Sequence, residues 1–232
     1  MESKPNALKI LDVVTAFLII AATAVVFFYA PMEAIMGNVQ RVFYFHVANA
    51  WVGMLGFTAA GVMGMLYLRT GNPKWDVIEV AAVEISLVFF FTAIVTGSIW
   101  ARPIWNTWWT WDPRLTTAAI LELVYAAYLM LRSGIDSPER RARFGAVYVI
   151  LGFLSVPLTF LTIRLLRTIH PVVVGGGAAD AQGGFSMSPK MLQTFLFSLF
   201  AFSVFFVDVL WHRVRLGQLE QKVEQLRLKL AR

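Results

Sequence analysis

Six long apolar runs constrain this chain more than any other feature. They fall near residues 10–30, 47–68, 77–99, 116–131, 144–163 and 190–211. Each approaches the about 20 residues that a helix needs to cross a bilayer. Inside hydrocarbon every backbone N–H and C=O must be satisfied within the segment, so such runs become helices. The sequence is 58% hydrophobic and only 15% charged, more apolar than an ordinary soluble domain. The expectation is an all-α integral membrane protein with a six-transmembrane-helix bundle over residues 1–212. The first run follows Lys4 and Lys9. It is longer than the about 7–15 residues of a signal-peptide core and no small-x-small cleavage site follows, so it reads as a retained helix. The fourth run is the shortest.

Lysine and arginine orient the bundle. With the N-terminus inside, the inner segments hold Lys4, Lys9, Arg69, Lys74, Arg132, Arg140, Arg141, Arg143 and six more in the tail, fourteen of the 20 basic residues. The outer segments hold Arg41, Arg102, Arg114, Arg164, Arg167 and Lys190. This asymmetry predicts that both termini are cytoplasmic. It also accounts for the net charge of +6 without a nucleic-acid partner.

Within the spans, Gly56, Ala60 and Gly64 recur every fourth residue, a spacing that lets helices approach closely in lipid. Pro157 is expected to kink the fifth span. Glu84, Glu122 and Asp208 lie inside spans and must face protein, water or a partner. For Asp208 the expected partner is the nearby Arg213, and Glu84 and Glu122 are candidates for a functional or subunit contact. Residues 213–232 form a different segment, in which Leu219, Val223, Leu226 and Leu230 alternate steps of four and three among charged residues. This is a short amphipathic helix, suited to a partner helix or the inner membrane surface.

The chemistry concentrates on the side predicted to be external. Five of the eight tryptophans fall between Trp100 and Trp111, and Trp105, Trp108, Trp109 and Trp111 lead directly into Asp112, Pro113 and Arg114. An indole row has two readings: an aromatic belt at a membrane surface, or a platform for a flat apolar ligand. Only three histidines exist. His46 is expected where a loop leads into the second span, and His170 just after the fifth, so both share the tryptophan-rich side. A pair of neutral imidazoles suits the two axial positions of haem iron, and aromatic rings suit its plane. The external arginines suit haem propionates, or merely reach for lipid headgroups. Asp112 either pairs with Arg114 or caps the turn before Pro113. His212, at the inner end of the sixth span, reads as an interfacial residue.

Several chemistries are absent. Without cysteine there is no disulfide, thiolate metal site or covalent c-type haem attachment. No phosphate-binding loop occurs. Gly175, Gly176 and Gly177 with Gly183 and Gly184 read as flexible linker, and no triad or carboxylate pair suggests hydrolysis. Two other roles stand beside a haem-handling one: a cytochrome b-type redox subunit, which needs haem buried between spans, and a structural subunit anchored by its tryptophans.

The run Trp105-Asn-Thr-Trp-Trp-Thr-Trp-Asp-Pro-Arg-Leu-Thr116 closely resembles the WWD signature of the haem-handling proteins of cytochrome c maturation. Arg41-Val-Phe-Tyr-Phe-His-Val-Ala-Asn-Ala-Trp51 and Arg167-Thr-Ile-His-Pro171 resemble the two histidine motifs of its CcmC family, and six spans in a short chain fit that family better than its larger relatives. The resemblance covers nearly the whole chain. It implies a protein of the bacterial inner membrane that holds haem b non-covalently and exchangeably at the periplasmic face. It further implies axial ligation by His46 and His170, and a platform of Trp105, Trp108, Trp109, Trp111, Asp112 and Arg114; the external Arg41 and Arg167 remain candidates for the propionates by their charge and placement. The implied partners are the haem chaperone CcmE and the ABC-type complex of CcmA, CcmB and CcmD, and the implied role is haem transfer rather than catalysis. The chain departs from the family pattern at Asn106, commonly glycine, at Ala48, commonly proline, and at Leu165 and Leu166, commonly aromatic.

Overall fold

The structure is a computed structural model that describes residues 3–34, 36–166, 168–171 and 187–230. Helix α1 (Asn6–Ala24) continues through a π-helical turn, Val25–Tyr29. Then follow α2 (Gln40–Thr70), α3 (Pro73–Trp105), α4 (Pro113–Ser133), α5 (Pro138–Phe153), α6 (Ser155–Leu165) and α7 (Pro189–Leu230). Six of these stretches are long and apolar enough to cross a membrane, with α5 and α6 joined as one. The helical six-span expectation therefore holds among the described residues.

Local sequence sets the helix ends. Asn72, Asp112 and Ser137 each accept a bond from a first-turn N–H, and each precedes a proline at the first helical position. That pairing satisfies a free donor and presets φ. Gly71 ends α2 in the left-handed conformation at φ 65°, where a side chain would be strained. Pro157 kinks the fifth span as expected, with the break at Leu154, between α5 and α6. Proline has no N–H to return to the carbonyl four residues earlier, and its ring crowds it.

Two boundaries differ from expectation. Helix α2 begins at Gln40 rather than near residue 47, and α3 runs on to Trp105 rather than ending near 99. Hydropathy measures apolar length, whereas a helix continues until something breaks it. Nothing between Gln40 and His46 does so. Ala48 is fully buried inside an unbroken α2. His46 consequently sits within a helix, not in the loop preceding it.

The core lies where α2 and α3 pack against α4, α5 and α7. Phe57 and Tyr125 stack there with ring centroids 3.9 Å apart. The small-residue row behaves as expected: Gly56 lies against Ser86 and Phe206, Gly64 against Val149, and Ala60 is fully buried. A Cβ on Gly56 would meet the Phe206 ring at 2.7 Å, too close without movement.

Acidic residues depart from the sequence reading. Asp208 does not pair with Arg213. It lies 3.7 Å from His212, one helical turn on, while Arg213 reaches across to Glu84 at 3.0 Å. Glu84 is thus held inside this chain rather than offered to a partner. Geometry explains the exchange, since Glu84 on α3 faces α7 and a guanidinium binds carboxylate through two nitrogens. Glu122 retains a buried carboxylate oxygen with no hydrogen bond. Two further buried charges have no sequence signal: Glu79, fully buried and bonded by the Tyr128 hydroxyl at 2.8 Å, and the Asp76–Arg132 pair, two bonds at 2.6 and 3.1 Å. Helix α7 runs unbroken into the tail, and Leu219, Val223, Leu226 and Leu230 stay exposed along it.

Candidate binding site between two histidines

Positions on α2, α3 and α4 enclose a cavity with the residues just after α6. Its walls include His46, Phe90, Gly97, Trp100, Trp105, Trp108, Trp109, Arg114 and His170. His46 projects from the second turn of α2 toward α3. His170 lies in a bend that follows α6, where its backbone N–H donates to Thr168 Oγ1 at 3.1 Å.

The two imidazoles share one arrangement. Nδ1 of His46 lies 2.8 Å from the Ala93 carbonyl, and Nδ1 of His170 lies 3.1 Å from the Pro171 carbonyl. A carbonyl only accepts, so each Nδ1 carries the proton and donates. That leaves Nε2 of both rings with a free lone pair, the tautomer a metal-ligating histidine needs, fixed by its second nitrogen. The ring centroids are 6.2 Å apart. Two imidazoles gripping one ion from opposite sides, at about 2 Å per bond, would have centroids roughly 6 Å apart. Burial first, then the charge of Arg114 and the neighbouring His46, pushes the His170 pKa down to about 3. The ring is therefore neutral and available as a ligand at any ordinary pH.

Gly97 makes this packing feasible. A Cβ there would lie 2.8 Å from His46 Cε1 and 3.1 Å from Nδ1. Nothing in the sequence distinguished Gly97 from other helix glycines, because its neighbour comes from a helix fifty residues away in sequence.

The indole row divides. Trp105 meets Trp100 edge-on at 5.1 Å, and both line the cavity. Trp109 lines it too, and its Nε1 is buried with no hydrogen-bond partner among the described residues, a donor left for a ligand. Trp108 lines the cavity while remaining 58% exposed. Trp111 is 76% exposed, packs edge-on against Trp109 at 5.7 Å and does not line the cavity. Asn106 ends α3 at φ 54°. Asparagine tolerates that left-handed conformation better than most residues. Arg102 fastens the turn by donating to the Asn106 carbonyl at 2.8 Å.

Asp112 takes the capping role. Its Oδ1 accepts from the Leu115 N–H at 3.0 Å. Arg114 lines the cavity, donates to the Thr159 carbonyl and lies 5.6 Å from the Phe160 ring centroid. Arg41 is elsewhere, with its guanidinium 5.5 Å from the Phe27 ring. Arg167 falls outside the described residues. Leu165 and Leu166 are exposed and do not line the cavity.

Fold and site together define a polytopic helical membrane protein with a histidine-paired, indole-walled cavity near one end of its bundle. Residues 2–229 match the family model of CcmC, heme exporter protein C, and the chain belongs to that family. It is 31% identical to heme exporter protein C of Bradyrhizobium diazoefficiens over 202 residues, which cover 87% of this chain and 75% of that protein. Identity to heme exporter protein C of Escherichia coli strain K12 is 29% over 189 residues, covering 82% and 74% of the two chains. Against heme exporter protein C of Rhodobacter capsulatus it is 30% over 196 residues, covering 82% and 77%.

Proposed function

We propose that this protein holds haem b non-covalently between His46 and His170 and hands it to a CcmE-type chaperone for cytochrome c maturation. The observation that carries the reading is the histidine pair, each ring tied at Nδ1 to a backbone carbonyl and open at Nε2, beside an indole-lined wall. Family membership and the names of the relatives agree with it. Haem, when bound, would supply an iron that accepts imidazole nitrogen and two carboxylates that accept hydrogen bonds. The chain's part is to present two neutral imidazoles, to cover the ring with Trp105, Trp108 and Trp109, and to offer Arg114 and the Trp109 N–H to the propionates.

The membrane setting follows from the charge asymmetry. Both termini face the cytoplasm of a bacterial inner membrane, and the cavity opens toward the periplasm. The half-exposed Trp108 then lies where a periplasmic chaperone reaches it. CcmA, CcmB and CcmD complete the assembly, and this chain acts as a carrier rather than a catalyst. One observation favours a cytochrome b-type redox subunit instead: His46 lies inside α2. Its partner His170, however, sits outside the helices, where a ligand is easily released.

The deciding experiment purifies the protein with and without a CcmE-type chaperone. The expected outcome is a Soret band in the purified protein and a chaperone that co-purifies with haem. Trp108→Ala together with Trp109→Ala should reduce both chaperone binding and transfer. Unchanged transfer in that variant would remove the platform role, and a redox subunit would keep its haem throughout.

A further inference from the structure

A second constellation stands at the opposite end of the bundle, away from the two-histidine cavity. Asp12 on α1 and Asp208 and His212 on α7 bring one oxygen each and a ring nitrogen within 4.8 Å of one another. His212 Nε2 lies 2.8 Å from Asp12 Oδ1 and 3.7 Å from an oxygen of Asp208.

We propose that Asp12, Asp208 and His212 form a site for a divalent transition-metal ion of the zinc class, which clamps α1 to α7. Four features support it. The donors are one imidazole and two carboxylates, a set that borderline divalent ions accept. Around an ion with bonds of about 2.1 Å, neighbouring ligand atoms stand roughly 3.0–3.4 Å apart, and the two observed spacings bracket that range. Asp208 is only 7% exposed, and the oxygen nearest His212 makes no hydrogen bond, so a buried carboxylate is aimed at the cluster without a donor of its own. Finally, Lys4 pairs with the other oxygen of Asp12, which orients this carboxylate from behind, as outer partners of metal ligands do.

The i, i+4 spacing places Asp208 and His212 on one face of α7, facing α1. Among the helices, α7 is the one that α1 approaches closely along its backbone. A cation there would tie down a helix that packs mainly against α7. The bond between His212 and Asp12 is then the metal-free form of the site, in which a proton on Nε2 occupies the cation's place.

The test uses the full-length protein in detergent, with Zn²⁺ for affinity and Co²⁺ for ligand identity. Because His46 and His170 also bind metal, a His46→Ala/His170→Ala background isolates the second site. That background should still bind one equivalent of Zn²⁺, and Co²⁺ should give a saturable visible band that Zn²⁺ displaces. Asp208→Asn and His212→Gln should each weaken Zn²⁺ at least tenfold, and His212→Gln should shift the Co²⁺ band. Zn²⁺ should raise the Tm of the His46→Ala/His170→Ala background but not of that background carrying Asp208→Asn. Equal Zn²⁺ affinity in the variants would overturn the proposal. So would the absence of any saturable Co²⁺ band in the unsubstituted protein, which needs no variant to fold.

Discussion

The two ends of this bundle use histidine in opposite ways. Near one end, His46 and His170 give their Nδ1 protons to backbone carbonyls and keep Nε2 unencumbered. Toward the other, His212 directs Nε2 at two carboxylates. The surroundings differ to match. The first site is walled by aromatic and small residues with the single guanidinium of Arg114. The second end carries Asp76–Arg132, Glu84–Arg213 and Lys4–Asp12. A carbonyl fixes a tautomer without adding charge, so the ring stays neutral and open to a ligand. A carboxylate instead draws a proton or cation onto the ring. Neutral, oriented imidazoles suit a large apolar ligand, whereas paired charges suit fastening helices together.

That contrast can be broken at its strongest point first. His46→Ala or His170→Ala should weaken haem binding at least tenfold, or about 1.4 kcal/mol in affinity, read from a haem titration of the Soret band of purified protein. His212→Ala should leave the band unchanged, and equal behaviour of all three would erase the distinction. At the charged end, Arg132→Met strands Asp76, whose side chain is 14% exposed. Removing one partner of a buried pair typically costs about 3–5 kcal/mol, so the protein should melt at a clearly lower temperature without a selective loss of haem ligation.

Gly97→Ala tests the packing behind the first site. The new methyl would press on His46, so haem affinity should fall several-fold while helical content and assembly remain. Retained affinity would show that the ring has room to shift. A pH series gives a smaller effect of known sign. His170 is held at about 3 in the folded protein against about 6.5 in an unfolded chain. Between those values the unfolded state binds more protons, so stability rises with pH and the His170 contribution is complete above about 6.5. Acidification from pH 6.5 toward 4 should destabilise the unsubstituted protein more than His170→Ala. The smallest change belongs to Trp111→Ala, whose side chain lies outside the cavity. It should leave haem binding alone where Trp109→Ala reduces it.

Much of this was legible in the chain, for identifiable reasons. Apolar length is a property of composition, so the six spans were countable. Asp112 was readable as a cap before Pro113, because capping is local. Pro157 marked the bend for the same reason. The residues of the cavity were largely readable too, since tryptophan clustering and rare histidines stand out along a sequence.

What the sequence could not determine depends on which faces meet. Helix α2 extends past His46 because no residue stops it, and hydropathy does not register an absent stop. Gly97 matters only because His46 lies across from it. Trp111 and Arg41 carry the same chemistry as Trp109 and Arg114, yet only the fold decides which pair reaches the cavity. Glu84 found Arg213 across more than a hundred residues, leaving Asp208 to His212. By itself the sequence determined a six-span membrane protein with a haem-suited set of side chains. The tertiary structure decided which nitrogen of each histidine is free and which charges cancel, because those choices follow from neighbours that are close in space and distant along the chain.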